Sequence, residues 1–378
     1  MLDSLQTELR NQALSPPGGD KRIAAFCAAV EKELCQAQFR AVVERMLATR
    51  TSLSPSYAVN IMLRALQKQL LRRSLHNYPV AYTEAATWQD EIVRVLEDPG
   101  LLDEYSNDLM LAEVQSNVVE RYKAFKLVML LLRNTIGDMP SVLDVGCSRN
   151  LGLKKLALDL PFRPLRIAAP LRIRDTTLFA LQDYLNGLLR QKVSLSYGIG
   201  SDIVPIDSLD AAIWARSCSF YPAELLDLAL VSEYDYLDHN AVYNVDFERG
   251  DFVSGGLTSP FEYEHTFTVV TVSTFMYQLS VADRERVRST LRRYVESDGI
   301  IIYQDFAKAS EDQSSLTFED HWFATHFPYR TMIEFASDPS RRLHELFRWD
   351  NGRCNNVILG QDFNAIVGNH LFEFTNSK

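Results

Sequence analysis

The sequence predicts an α/β protein, in which a mainly parallel, Rossmann-like sheet covered by helices follows an all-helical amino-terminal domain. Three observations predict it. Roughly the first 110 residues carry helix-period patterns and no convincing strand. From Pro140 onward, short β-rich runs alternate with helical patterns, the signature of a parallel sheet with helices on both faces. The first of those runs ends in an acidic residue and a glycine turn that leads into a helix.

The elements follow in order. Residues 1–14 read as a short helix stopped by Ser15-Pro16-Pro17-Gly18-Gly19. Between Lys21 and Ala48 the apolar residues Ile23, Phe26, Val30, Leu34 and Phe39 recur at helical spacing. Ser54-Pro55 supplies an N-cap and a first-turn proline for a helix through Ile61, Leu63, Leu66 and Leu70. Further helices are predicted over Thr83–Leu96 and Glu113–Ile136. The β-rich runs are Ser141–Val145, Val193–Ile203, Val242–Phe247, Thr266–Ser273 and Gly299–Gln304, with a helix over Val281–Val295. The expected division is a helical domain over 1–110, which would cap the substrate, and a ligand-binding domain over 111–378.

Composition narrows the function. Hydrophobic residues make up 47% and charged residues 23%, ordinary for a soluble globular chain. The 39 basic and 49 acidic residues give a net charge of −10, poorly suited to counterion-release binding of nucleic acid. The aliphatic stretch Leu127–Leu132 is far shorter than a membrane span. No basic segment followed by an apolar run opens the chain, so a cytoplasmic location is expected. The five cysteines are scattered and form no CxxC pair, which argues against a disulfide framework or zinc site. The expected partner is a small molecule.

The chemistry should lie at Ser141-Val142-Leu143-Asp144-Val145-Gly146-Cys147-Ser148-Arg149-Asn150-Leu151-Gly152. In an open α/β sheet, ligands bind outside the carboxyl ends of the strands, where such a turn lets backbone approach them. G-x-G-x-x-G is absent, which disfavours a dinucleotide. The segment resembles motif I of the class I S-adenosylmethionine (SAM)-dependent methyltransferases, whose first strand ends in D/E-x-G-x-G. Ser148 stands at that family's second glycine. The resemblance implies that Gly146, Cys147 and Ser148 run along the methionine part of SAM. Asp144 would hold its amino group, directly or through water.

Two further segments are similar to the same family. Phe267–Phe275, the helix after it and Ile300–Asp305 resemble its fourth strand, helix and fifth strand, which places Ser273 at the cofactor. Val245-Asp246-Phe247-Glu248-Arg249-Gly250-Asp251-Phe252 resembles a third strand ending in Gly-Asp. There Asp251 would meet the adenine amino group and Phe252 would pack on the ring, although Gly-Asp is also an ordinary strand-end turn. For the ribose, Asp202 in Tyr197-Gly198-Ile199-Gly200-Ser201-Asp202-Ile203-Val204-Pro205 is preferred to Asp175. The choice treats much of Leu153–Lys192 as an insertion. Over roughly Leu111–Phe306 the chain also resembles a bacterial methyltransferase-like family through Gln115-Ser116-Asn117-Val118-Val119-Glu120-Arg121 and Gly200–Asp207. Val118 replaces that family's glutamate. Asn117 and Arg121, four apart, would share a helix face and reach the SAM carboxylate, or form an exposed polar edge.

The expected reaction is in-line methyl transfer from SAM to a small-molecule hydroxyl, carboxylate or amine, with S-adenosylhomocysteine as product. The protein aligns the nucleophile and, where needed, removes a proton. Candidate bases are His321, His326 and Tyr303; His265, just before a parallel strand, sits at the wrong end. His321 and His326 are five apart, so no metal pair is expected, and a structural role is the commoner fate of such histidines. Trp322, Phe323, Phe327 and Tyr329 would wall a pocket or pack in the core. The rival expectation is a non-catalytic SAM-fold protein acting as a binding module.

Overall fold

The computed structural model describes residues 1–51, 53–114, 118–168, 176–203, 208–259, 262–276, 279–306 and 326–367. The chain divides into two compact units, Met1–Asn117 with Ile206–Tyr236, and Val118–Pro205 with Leu237–Lys378. In place of one boundary near residue 110, the helical unit takes a second segment from inside the sheet-forming part of the sequence.

The helical unit contains α1 (Leu2–Leu14), α2 (Lys21–Glu33), α3 (Ala37–Thr49), α4 (Pro55–Arg73), α5 (Ala85–Glu97) and α6 (Pro99–Leu111). Ser54 caps α4 as its sequence predicts, accepting the Tyr57 N–H at 3.2 Å. Nearly all of α4 from Ala58 to Leu71 is buried, including Arg64, Gln67 and Lys68. The charges of Arg64 and Lys68 need partners inside. Lys68 Nζ bonds Asp108 at 2.8 Å and Asp210 at 3.0 Å, and Arg64 donates to the Ser217 carbonyl at 3.2 Å. Asp210 and Ser217 belong to α11 (Leu209–Ser219), whose Trp214 and Cys218 complete the apolar core of this unit.

The second unit contains α7 (Tyr122–Leu131), α8 (Arg133–Ile136), α9 (Leu151–Ala157), α10 (Thr176–Leu189) and α13 (Val281–Leu291); α12 (Leu228–His239) crosses the division. The single helix expected over Glu113–Ile136 does not form. A 3-10 turn, Val119–Arg121, precedes α7 instead.

The strands are β1 (Ser141–Val145), β2 (Arg166–Ile167), β3 (Tyr197–Asp202), β4 (Val245–Asp251), β5 (Gly256–Leu257), β6 (Phe267–Ser273), β7 (Val295–Phe306), β8 (Tyr329–Phe335), β9 (His344–Trp349) and β10 (Asn356–Leu359). They form one sheet in the order β2-β10-β9-β8-β7-β6-β1-β3-β4-β5. The five strands β4, β3, β1, β6 and β7 are parallel, giving the Rossmann-like arrangement. β8, β9 and β10 continue from β7 as an antiparallel meander. Aliphatic runs explain the buried centre: Val142 and Leu143, Val269 and Val270, and Ile300–Ile302 are each 0% exposed.

The chain order runs outward from β1 to β3 and β4, then returns to β6 and β7 on the other side. The border of β1 with β6 is therefore the topological switch point, where open α/β sheets hold ligands at the strand carboxyl ends.

Candidate functional site

β1 opens into the switch point through an unusual turn. Gly146 adopts φ +75°, Ser148 φ +50° and Asn150 φ +57°. Two left-handed non-glycine residues so close together must be held there by their surroundings. The Gly146 and Cys147 N–H groups donate to the Ser201 carbonyl on β3 at 2.9 and 3.2 Å. The Ser148 N–H donates to Asp202 Oδ2 at 2.8 Å, and Asp202 Oδ1 accepts the Ile203 N–H at 2.8 Å. Asn150 N-caps α9 and donates from Nδ2 to the Asp246 carbonyl on β4 at 3.0 Å. The turn is thus fastened to β3 and β4, with backbone from Gly146 to Ser148 at its crest.

Asp144, at the end of β1, is 0% exposed. Its Oδ2 accepts the Tyr122 hydroxyl, and its Oδ1 accepts the Thr271 hydroxyl at 2.7 Å. Burial pushes the Asp144 carboxyl up to about 6, against the lowering effect of those two donors and of Arg121. The Cys147 thiol beside it is buried too, and burial together with Asp144 and Asp202 pushes it well above the usual thiol range. Cys147 is therefore a protonated packing residue.

Arg121 enters from the 3-10 turn before α7 and is 6% exposed. Its Nη1 donates to Ser273 Oγ at 3.1 Å and to the Thr274 hydroxyl, at the carboxyl end of β6. The Tyr329 hydroxyl lies 3.4 Å from Ser273 Oγ. A Cβ on Gly146 would sit 3.8 Å from both Phe275 Cβ and the Ser273 carbonyl, so the glycine faces the end of β6. Arg121, Asp144, Gly146, Cys147, Ser148, Asp202 and Ser273 accordingly meet at the carboxyl ends of β3, β1 and β6.

Other expected residues lie elsewhere. Asp251 stands one strand further out, on the β4–β5 hairpin, where it accepts from the Val253 N–H at 3.0 Å and the Ser254 hydroxyl at 2.6 Å. Those bonds, the Ser254 hydroxyl first, hold its carboxyl below the usual range. Phe252 is 3% exposed and packs into the core against Tyr294, ring centroids 5.7 Å apart. Tyr303 is 2% exposed, and its hydroxyl donates to Glu334 at 3.3 Å, inside an ion cluster with Arg288 and Arg292. His326 is exposed and precedes β8, and His265 bonds the Val295 carbonyl near the start of β7. Tyr329 and Phe327 are buried core residues. Asn117, Asp175, His321, Trp322 and Phe323 lie outside the described residues.

Sequence reasoning missed Tyr122, Thr271 and Thr274. The available signal was Thr271, a hydroxyl inside the otherwise aliphatic run Val269-Val270-Thr271-Val272. A buried hydroxyl needs a partner, and Thr271 is the register partner of Asp144. Among the described residues, no group of three or more His, Cys, Asp or Glu could hold a metal ion, and no helix is long and apolar enough to cross a membrane.

No protein-family model matches the chain, and no curated protein matches it in sequence. Solved structures do match. An S-adenosylmethionine-dependent methyltransferase from Mesorhizobium loti is 13% identical over 46% of this chain and 51% of its own, with a TM-score of 0.22. The PH0226 protein from Pyrococcus horikoshii is 17% identical over 66% and 80%, TM-score 0.25. The trans-methyltransferase CalH, solved with SAH, is 13% identical over 76% and 72%, TM-score 0.31. Several other matches are spanned over only 44% to 60% of their own length. The chain is thus similar to methyltransferase structures, while its strand order and the geometry of its own turn carry the reading of the site.

Proposed function

We propose that the Rossmann-like unit binds S-adenosylmethionine and transfers its methyl group to a small-molecule hydroxyl, carboxylate or amine. The observation that carries this reading is the strained Gly146–Asn150 turn at the β1/β6 switch point, with the Arg121 guanidinium beside it. The residues present fit the cofactor. Backbone from Gly146 to Ser148 would lie along the methionine portion, and the planar fork of Arg121 suits its carboxylate. Asp202, held beside the turn by the Ser148 and Ile203 N–H groups, would present its carboxylate to the ribose hydroxyls. Asp144 is enclosed by Tyr122 and Thr271, so it would act on the amino group through the field of a buried charge near the turn. SAM supplies a sulfonium-activated methyl; the chain's part is to orient donor and acceptor in line and exclude water.

No general base is assigned. Tyr303 is locked on Glu334, and an acceptor such as a carboxylate needs none. Calorimetry with SAM and with S-adenosylhomocysteine tests the reading. The expected result is micromolar binding of both, and at 100 times the dissociation constant a stabilisation of about 2.7 kcal/mol. Well-folded protein that binds neither compound would overturn it.

A further inference from the structure

Tyr122 belongs to no motif, yet it touches two parts of the turn. A Cβ on Gly152, in the first turn of α9, would lie 1.9 Å from Tyr122 Cε2 and 2.1 Å from Cδ2 and Cζ, so the ring fills the space that glycine leaves. The hydroxyl at the far end of the same ring donates to Asp144. One side chain therefore spans from the helix that follows the turn to the strand that precedes it.

We propose that Tyr122 is a positioning residue for the methyl donor: its ring seats on Gly152 while its hydroxyl anchors the buried Asp144 carboxylate, fixing strand, turn and helix as one unit. The proposal rests on the reading of the site as a SAM site. Asp144 is enclosed on every side. Tyr122 approaches from α7, Thr271 from β6, Arg121 from the preceding 3-10 turn, Cys147 from the turn itself and Asp202 from β3. Two hydroxyl donors and one cation favour the carboxylate form, whereas burial and Asp202 oppose it. Removing the Tyr122 hydroxyl deletes a donor without opening the space over Gly152. Asp144 should then hold its proton to higher pH, and a neutral Asp144 no longer attracts the ligand ammonium.

The test is the pH dependence of S-adenosylhomocysteine binding, followed by calorimetry from pH 5.5 to 9 for wild type, Tyr122→Phe and Thr271→Val. The wild-type affinity should fall below about pH 6. For a one-unit rise in the Asp144 pKa, Tyr122→Phe should bind about fivefold more weakly at pH 6 and like wild type by pH 8.5. Thr271→Val removes the other donor from a different element and should move the profile in the same direction, which keeps the test decisive if one variant folds poorly. Wild-type binding with unmoved profiles in the folded variants, or a uniform loss at all pH values, would overturn the positioning role alone. Absence of wild-type binding at every pH would overturn the SAM reading and the inference with it.

Discussion

The Asn150 side chain occupies the place where any side chain on Gly200 would begin: a Cβ there would lie 2.3 Å from Asn150 Cγ and 2.4 Å from its Oδ1. Asn150 cannot easily move aside. Its amide donates to Asp246 on β4, and its own backbone is left-handed. Gly200→Ala should therefore destabilise the fold by about 1–3 kcal/mol, the usual cost of overpacking a close contact. Gly187 on α10 provides the control, since a Cβ there meets nothing within 4 Å. Alanine in that helix should be neutral or stabilising by up to about 1 kcal/mol. Chemical denaturation of both variants checks the pair, and equal effects would contradict the crowding at Asn150.

A second prediction concerns Asp144 and pH. Its folded pKa of about 6 lies above the ordinary value of 3.8. The folded state therefore binds the proton more tightly than the unfolded chain. Well below pH 4 both states are protonated and Asp144 costs nothing. As pH rises toward 6 the unfolded chain ionises first and stability is lost, with the full cost, on the order of 3 kcal/mol, present above pH 6. In Asp144→Asn that pH-dependent cost is absent, while the other titrating groups largely cancel in the comparison. The stability of the variant relative to wild type should hence rise by up to about 3 kcal/mol between pH 4 and pH 8. A difference that stays flat across this range would mean that Asp144 is not titrating in a buried site.

These two cases show why some of the site was legible and some was not. β1 could be read because an aliphatic run, an acid and a glycine follow one another within a single local signal. β6 and the parallel core could be read from their valines and isoleucines. β8 could not, because Tyr329-Arg330-Thr331-Met332-Ile333-Glu334-Phe335 carries charges that a sequence reader assigns to the surface. Glu334 is 0% exposed only because Arg288 on α13 and Arg292 at its C-cap reach it, more than 40 residues earlier. The break before α7 has a similar cause. Lys123 and Lys126 look like the polar face of a long amphipathic helix, yet both are buried. Lys123 meets Glu120 at 3.2 Å and Lys126 meets Asp159 at 2.8 Å. The contacts of Tyr122 and Asn150 were illegible for the same reason: their partners are Asp144 and Asp246, which only the folded chain brings near.

The last prediction decides whether Tyr303 takes part in chemistry. Burial and the neighbouring Glu334 push its hydroxyl far above the ordinary tyrosine range, so the phenolate a base would need is disfavoured. The hydroxyl is also committed, donating to a carboxylate that Arg288 holds at 2.8 Å and Arg292 holds on its other oxygen. Tyr303→Phe should thus cost about 1 kcal/mol of stability, the net worth of one hydrogen bond, and leave donor binding unchanged. Glu334→Ala should be far worse, about 3 kcal/mol or more, because it takes the buried carboxylate from Arg292 and leaves Arg288 only the more exposed Glu285. Thermal unfolding, calorimetry with SAM and, once an acceptor is found, turnover separate the possibilities. Loss of turnover in Tyr303→Phe, with stability and SAM affinity intact, would return the hydroxyl to the reaction and place the acceptor over β7. Retained turnover with a lower melting temperature would leave Tyr303 where its bonds put it, as the tie between β7 and the Glu334 cluster.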